Sequence, residues 1–233
     1  MNYLIWDFDG TLGYRVGKWE GALLEVLRRH APEVNMRREL LWPHLQTGFP
    51  WLTPETPHTE IQTAEEWWDR LDPVFARAFA GAGLANETAH TLAKHVRHVY
   101  PDTTAWRLFD DAIPTLECLA AQGWRHLLLS NHIPELPEIL RHLGLAPHFA
   151  AVFNSAQTGY EKPHPRAFRN VLETLDGSGA VWMIGDSMSN DIAGAAAVGI
   201  PGILVRKSRP EAQFCCQTLE QVTDIVSGVM EVK

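Results

Sequence analysis

Five short, unbroken apolar runs constrain the fold of this chain more than any other feature: YLIW (3–6), HLLL (126–129), AVF (151–153), VWMI (181–184) and GILV (202–205). Each is bounded by polar residues, Gly or Pro, and none alternates apolar with polar, which is how parallel strands buried on both faces read. Helix-length patterns separate them, over 111–122, 134–143, 165–175 and 190–198, each followed by Gly or a turn. Strand and helix repeated in this way wind a parallel sheet with helices on both faces. The expected fold class is therefore α/β, a doubly wound, Rossmann-like parallel sheet.

The alternation stops once, between the first and second runs. WEGALLEVLRR (19–29), AEEWWDRLDPVFARAFAGAG (64–83) and ETAHTLAKHVRHVY (87–100) carry helical patterns with no strand run among them. We expect two units: a core of residues 1–13 and 106–233, and an inserted α-helical cap domain of residues 14–105, covering whatever lies at the end of the first strand. Trp19, Trp42, Trp51, Trp67 and Trp68 fall in the insert, where packing of its own core is the ordinary role for such rings, ahead of stacking on a ligand.

Charge and composition remove whole classes of partner. With 20 basic against 28 acidic side chains and no Lys/Arg run longer than two or three residues, the chain lacks the footprint that nucleic acid requires. A small anion needs only a few local cations or a metal, and net charge does not exclude it. No apolar run approaches the roughly 20 residues of a membrane span, and MNYLIWDFDGT meets carboxylates too early for a signal peptide. We expect a cytoplasmic protein with no nucleic-acid and no membrane partner. Cys118, Cys215 and Cys216 form no even framework and no CxxC, so neither a disulfide scaffold nor a cysteine zinc site is encoded.

The chemistry sits where strands end, the place open α/β sheets bind ligands. Asp7 and Asp9, in Asp7-Phe8-Asp9-Gly10-Thr11, leave the first strand into a Gly turn, where two carboxylates projecting into one crevice invite a divalent cation. Ser130 and Asn131 end the second run with a hydroxyl, an amide and loop N–H groups suited to an anionic oxygen. Lys162 stands just before Pro163, ahead of the helix expected from Pro165. Asp186 and Asp191, in GDSMSND, follow the fourth run. Singly, each has a commonplace alternative: a solvated turn, a turn-forming Ser-Asn pair, a surface lysine, or a helix cap at Asn190 or Asp191. His95 and His98 share a helix face without a third ligand and read as solvated, as do the other scattered histidines.

The order of these signals is more specific than any of them alone. DFDGT, LLLSN, Lys162 in EKPHP and GDSMSND resemble, in sequence order, the four motifs of the haloacid dehalogenase-like hydrolase superfamily, and the helical insert resembles the α-helical cap of its first subclass. The resemblance implies that Asp7 is a nucleophile forming an aspartyl-phosphate, and that Asp9 is the acid that protonates the leaving oxygen and then the base that activates water. It implies Mg2+ held by the Asp7 carboxylate, the Asp9 backbone carbonyl and Asp186, with Asp191 in or beside the metal shell. Ser130 and Lys162 would hold the phosphoryl oxygens, with Asn131 and Thr11 positioning substrate and supporting the loop.

Asp9 also sorts the superfamily's chemistries. A halide leaves without protonation, so an acid at that position favours phosphoryl transfer over carbon–halogen cleavage. A phosphonate-cleaving relative would need a cap lysine for a Schiff base, for which the insert offers Lys18 and Lys94. The expectation is a Mg-dependent phosphatase of a small phosphorylated metabolite, monomer or homodimer. A phosphomutase of the same superfamily and a non-catalytic phosphate-ligand-binding protein stand as alternatives. The chain departs from many relatives at Gly13-Tyr14-Arg15-Val16-Gly17, where a Val-Asp-Ser type continuation is usual, which leaves substrate contacts at the cap hinge open. Arg15, Lys18 and residues around Trp51 and Trp67 are the candidates there.

Overall fold

A computed structural model describes residues 1–177 and 179–228 of the chain; Ser178 and the last five residues of the expected 106–233 segment lie outside the described residues. Strand β1 (Asn2–Trp6) is followed by a short strand, β2 (Gly13–Arg15), that pairs antiparallel with β3 (Trp106–Leu108). The remaining strands are β4 (Trp124–Ser130), β5 (Phe149–Asn154), β6 (Val181–Gly185), β7 (Gly202–Val205) and β8 (Phe214–Cys216). With β1 they form a parallel sheet of order β5-β4-β1-β6-β7-β8. Each of the five apolar runs lies within one of these strands. Three elements carry no comparable run and were not anticipated: β8, and the β2–β3 ribbon through which the chain leaves and re-enters the core. Each is three residues long, too short to show a run, and the ribbon pairs positions more than 90 apart.

Side chains of β1 alternate between two cores, as the pleat requires. Leu4 and Trp6 point into one cluster, Tyr3 and Ile5 into the other. Five helical segments lie between the ribbon strands: α1 (Lys18–His30), α2 (Arg38–Leu41), α3 (Ala64–Gly81), α4 (Asn86–Ala93) and α5 (Val96–Val99). The expected helix over 87–100 is thus two pieces. On the sheet, α6 (Ala112–Ala121) and α7 (Leu136–His142) pack on the Leu4/Trp6 face. The short α8 (Ser155–Thr158) follows β5; α9 (Pro165–Leu172) and α10 (Gly194–Ala196) cover the other face, and α11 (Glu220–Val226) returns to the first. Helices on both faces of a parallel sheet make this a doubly wound α/β fold carrying an α-helical cap.

The insert holds itself together by ordinary means. Thr63 caps α3, accepting from the Glu66 N–H at 3.1 Å while the Glu66 carboxylate accepts from the Thr63 N–H at 3.0 Å. One face of α3 buries Trp67, Trp68, Leu71, Phe75 and Phe79 in a cluster continuous with the Leu4/Trp6 core. Arg97 pairs with Asp69 and Asp72 at 2.5 and 3.0 Å and so ties α5 to α3.

β1 runs between β4 and β6, and the chain winds outward from it in both directions. The crevice beyond the carboxyl ends of those three strands is the switch point of the sheet, and the helical insert springs from the loop at its centre.

Candidate active site

Asp7 follows β1 directly and is 7% exposed. Its Oδ1 accepts from the Ser130 hydroxyl at 3.1 Å and from Lys162 Nζ at 2.8 Å, and its Oδ2 faces the Thr11 hydroxyl at 3.4 Å. The Lys162 ammonium, 2% exposed, also donates to Asp191 Oδ1 at 2.6 Å. Burial alone would lower the pKa of this lysine, but the charges of Asp191 and Asp7 outweigh it and the net direction is up. Lys162 is therefore a fixed cation bridging two buried carboxylates. Asn131 makes it rigid: its Oδ1 accepts from the Lys162 N–H at 2.7 Å and its Nδ2 donates to the Lys162 carbonyl at 2.9 Å.

Asp186 follows β6, and its Oδ2 accepts from Lys207 Nζ at 2.7 Å. Carboxylate oxygens of Asp7, Asp186 and Asp191 lie within 4.8 Å of one another, an all-oxygen donor set of the kind hard divalent cations take. Gly10 permits this approach. Its φ is +90°, and a Cβ there would come within 2.7 Å of Asp186 Oδ2. Arg206 locks the turn from behind at a left-handed φ of 61°. Its guanidinium donates to the Thr11 carbonyl at 2.8 Å and to Asp111 at 2.6 Å, and lies 3.6 Å from the Phe109 ring centre.

The expected helix over 190–198 is replaced by one wide π-helical turn, residues 188–193, running into α10. Ser187, and neither Asn190 nor Asp191, caps it, accepting from the Asn190 N–H at 3.2 Å. Asp191 is instead turned inward, accepting from the Ser187 N–H at 2.9 Å and from Lys162. A carboxylate bound on both oxygens this way sets the turn, and wide turns of this type occur at functional sites.

All eight sequence-predicted residues gather at this crevice, in different positions. Asp7, Asp9, Asn131, Lys162, Asp186 and Asp191 line a cavity of about 200 Å³. Thr11 and Ser130 are buried behind it, their hydroxyls directed at Asp7. The Asp9 side chain is apart from the three-carboxylate cluster and opens onto the cavity. Asp9 is exposed at the mouth of the crevice; the protein crowded around that mouth, then the charges of Asp7 and Asp186, push its carboxyl up from the ordinary carboxylate range against the opposing field of Lys18.

Of the insert residues the sequence offered as substrate contacts, Trp51 lines the cavity, while Arg15, Lys18 and Trp67 do not; Tyr100 had no signal in the sequence. Trp19, Trp51 and Tyr100 come from the insert, so two of its five tryptophans face the cavity, while Trp67 and Trp68 are core and Trp42 is exposed. Arg15 is not free to meet a substrate: its guanidinium donates to the carbonyls of Tyr100, Val99, Val16 and Lys18.

The reading of the scattered histidines as solvated is corrected for three of them. His58, His126 and His132 are 1%, 3% and 5% exposed. His58 Nε2 meets Glu161 Oε1 at 3.0 Å, docking the insert on the loop that carries Lys162. His126 Nδ1 accepts from Trp6 Nε1 at 3.0 Å, which leaves Nε2–H to donate to the Leu116 carbonyl at 2.9 Å and fixes a neutral tautomer. His132 packs against Phe8 and Trp106, and burial lowers its pKa to about 4. Burial lowers His126 as well.

A histidine depressed when folded favours the native state fully above its unfolded pKa, near 6.5, and loses that contribution as pH falls through the folded value. For His132 the window runs from about 6.5 down to about 4, with a slope of at most about 1.4 kcal/mol per pH unit. Asp9, raised in the folded state, acts in the opposite sense. The measurement is therefore a difference: urea midpoints of wild type and His132→Phe, expected to diverge in favour of the variant as pH is lowered from 7 to 5. Parallel midpoints would contradict a buried neutral His132.

A family model described as haloacid dehalogenase-like hydrolase matches residues 1–199. The haloacid dehalogenase-like hydrolase domain-containing protein 3 of Bos taurus is 34% identical over 152 residues, 64% of this chain, and the chain spans 59% of that relative's length. A phosphoserine phosphatase from Thermus thermophilus is 34% identical over 235 residues, covering 91% of each chain. Among solved structures, the magnesium-bound HAD-hydrolase YfnB from Bacillus subtilis has a TM-score of 0.73 at 19% identity, covering 97% of this chain and 98% of that one, a likeness of fold. Three of the four motifs thus stand at strand ends of a doubly wound sheet and the other, with Lys162, in the loop beyond α8, all within the stretch that the family model covers, and the chain belongs to the haloacid dehalogenase-like hydrolases.

Proposed function

We propose that this chain is a Mg-dependent phosphatase that hydrolyses a small phosphorylated metabolite through an aspartyl-phosphate on Asp7. The observation that carries the reading is the division of labour between two carboxyls two residues apart. Asp7 is clamped by Lys162 and Ser130, while Asp9 is unclamped, faces the cavity from its exposed mouth and has its carboxyl pushed up by the crowding there and by the neighbouring Asp7 and Asp186, which leaves it free to carry a proton to or from a ligand. Relatives named as phosphatases point the same way.

In the first step an Asp7 carboxylate oxygen bonds to phosphorus, the bond to the leaving oxygen breaks, and Asp9 delivers its proton to that oxygen. In the second, water loses a proton to Asp9 as it attacks phosphorus, and the bond to Asp7 breaks to release phosphate. Lys162, with one N–H beyond those given to Asp7 and Asp191, can donate to a phosphoryl oxygen, and Asn131 keeps it in place; Ser130, behind the cavity, orients the Asp7 carboxylate.

The donor set of Asp7, Asp186 and Asp191, hard oxygens gathered within 4.8 Å, fits Mg2+. Held by Asp7, Asp186 and the Asp9 carbonyl, with Asp191 supporting, the ion would neutralise charge on the transferring phosphoryl group.

The test is hydrolysis of para-nitrophenyl phosphate and of an alkyl phosphate, with Mg2+ and with chelator. Turnover should require the metal, and Asp9→Asn should slow the alkyl ester far more than the nitrophenyl ester, by on the order of 10²-fold or more, because nitrophenolate leaves without protonation. The comparison is made on kcat/KM, which reports the first step only; equal losses in it on both esters would remove Asp9 as the acid.

A further inference from the structure

The insert contributes three side chains to the cavity wall, and all three are aromatic: Trp19, Trp51 and Tyr100. Trp19 stacks on Tyr100 with ring centres 3.5 Å apart and planes 10° apart, and Trp51 lies 6.1 Å from Trp19 at 23°. These rings form a stepped, mostly apolar surface facing the carboxylates of the sheet. On the adjoining wall are Ile133 and His132, whose ring nitrogens have no partner among the described residues.

Positive charge is distributed very differently. Among the described cavity-lining residues Lys162 is the one cation, and its ammonium is committed to Asp7 and Asp191. Arg15, beneath the aromatic wall, spends its donors on backbone carbonyls. Lys18 acts on Asp9 through its field but is exposed at the start of α1 and does not line the cavity. Lys207, at the edge of the crevice, is likewise spent on Asp186 at 2.7 Å, so a carboxylate on the leaving group would be desolvated against rings with no free countercharge, which opposes it. A neutral ring laid on Trp and Tyr faces gains instead of losing.

We propose that the leaving group this cavity accepts is an uncharged, ring-bearing alcohol, a sugar or an aryl alcohol, and that carboxylated esters are selected against by the aromatic wall of the insert. The inference rests on the phosphatase reading for its chemistry, but the wall and its lack of cations are properties of binding. It separates this chain from what the name of its phosphoserine phosphatase relative would suggest.

Two readouts keep the two ideas apart. The first is kcat/KM with Mg2+ for glucose 6-phosphate, phenyl phosphate, phosphoglycolate and phosphoserine. The second is binding of the same four esters to the Asp7→Asn protein, followed by the fluorescence of its tryptophans. Ring esters should exceed carboxylated ones by about tenfold or more in both, the size expected of one good aromatic contact. Trp51→Ala should erase most of that margin, and Trp51→Phe should retain it.

Binding preference without turnover would overturn the phosphatase reading and uphold this one. Equal or better binding of the carboxylated esters would overturn this one, most directly if Lys18→Ala abolished that binding. If glucose 6-phosphate leads, the leaving group is a sugar; if phenyl phosphate leads, it is aromatic.

Discussion

Asp7→Asn is expected to abolish turnover while leaving the chain as stable as wild type or more so. Loss of the nucleophile should cost about 10⁴-fold or more in kcat, since removing one member of a group that acts as a unit removes nearly all of its contribution. Stability moves the other way for an electrostatic reason. Asp7 lies buried within 4.8 Å of two further carboxylates, against one shared buried ammonium. Removing one of those negative charges relieves repulsion, and Lys162 keeps Asp191 as its partner at 2.6 Å. The amide retains an oxygen for the Ser130 hydroxyl. Single-turnover assays with a phosphate ester and a urea melt in chelator check both halves. Wild-type-like turnover would end the aspartyl-phosphate mechanism; a large loss of stability would mean that the Asp7–Lys162 pair holds the fold.

The largest stability effect is expected at Lys162. Lys162→Met keeps the length and apolar stem of the side chain but leaves Asp7 and Asp191, 7% and 1% exposed, without their cation. Stranding buried charge in this way costs about 3–5 kcal/mol. Because the cost is repulsion and desolvation and not lost packing, adding Asp191→Asn should recover a substantial part of it, by at least about 1 kcal/mol beyond additivity. Denaturant midpoints of the two single variants and the double variant, all in chelator, measure the coupling. Mg2+ should stabilise Lys162→Met more than wild type, since the ion supplies the missing positive charge. Additive losses, or a Lys162→Met protein as stable as wild type, would show that the ammonium does not hold the cluster together.

Much of this was legible one segment at a time. Strands β1, β4, β5, β6 and β7 each show in the sequence because a strand buried on both faces has to be apolar throughout, and their order with the intervening helices implies the winding. Asp7, Ser130, Lys162 and Asp186 could be named because they recur in a fixed order along the chain, each after a strand run or in the loop beyond it; taken singly, Ser130 reads as a turn and Lys162 as a surface charge. The role of Asn131 was less legible: its amide binds the Lys162 backbone, a partner 31 positions away. The wide turn at 188–193 was missed because the inward aim of Asp191 depends on Lys162, 29 positions earlier.

Local pattern by itself determined the parallel sheet, the helical interruption and the set of carboxylates, since each is written in residues adjacent in the chain and recognisable by period or by motif. Only the tertiary structure decided what the crevice can recognise. Trp19, Trp51 and Tyr100 reach one wall from three separate points of the insert, and His58 meets Glu161 across 103 positions. Whether a tryptophan packs a core or faces a ligand, and whether a histidine is solvated or held neutral, is set by what lies opposite it in space. Those neighbours come together only when the insert folds back over the end of β1.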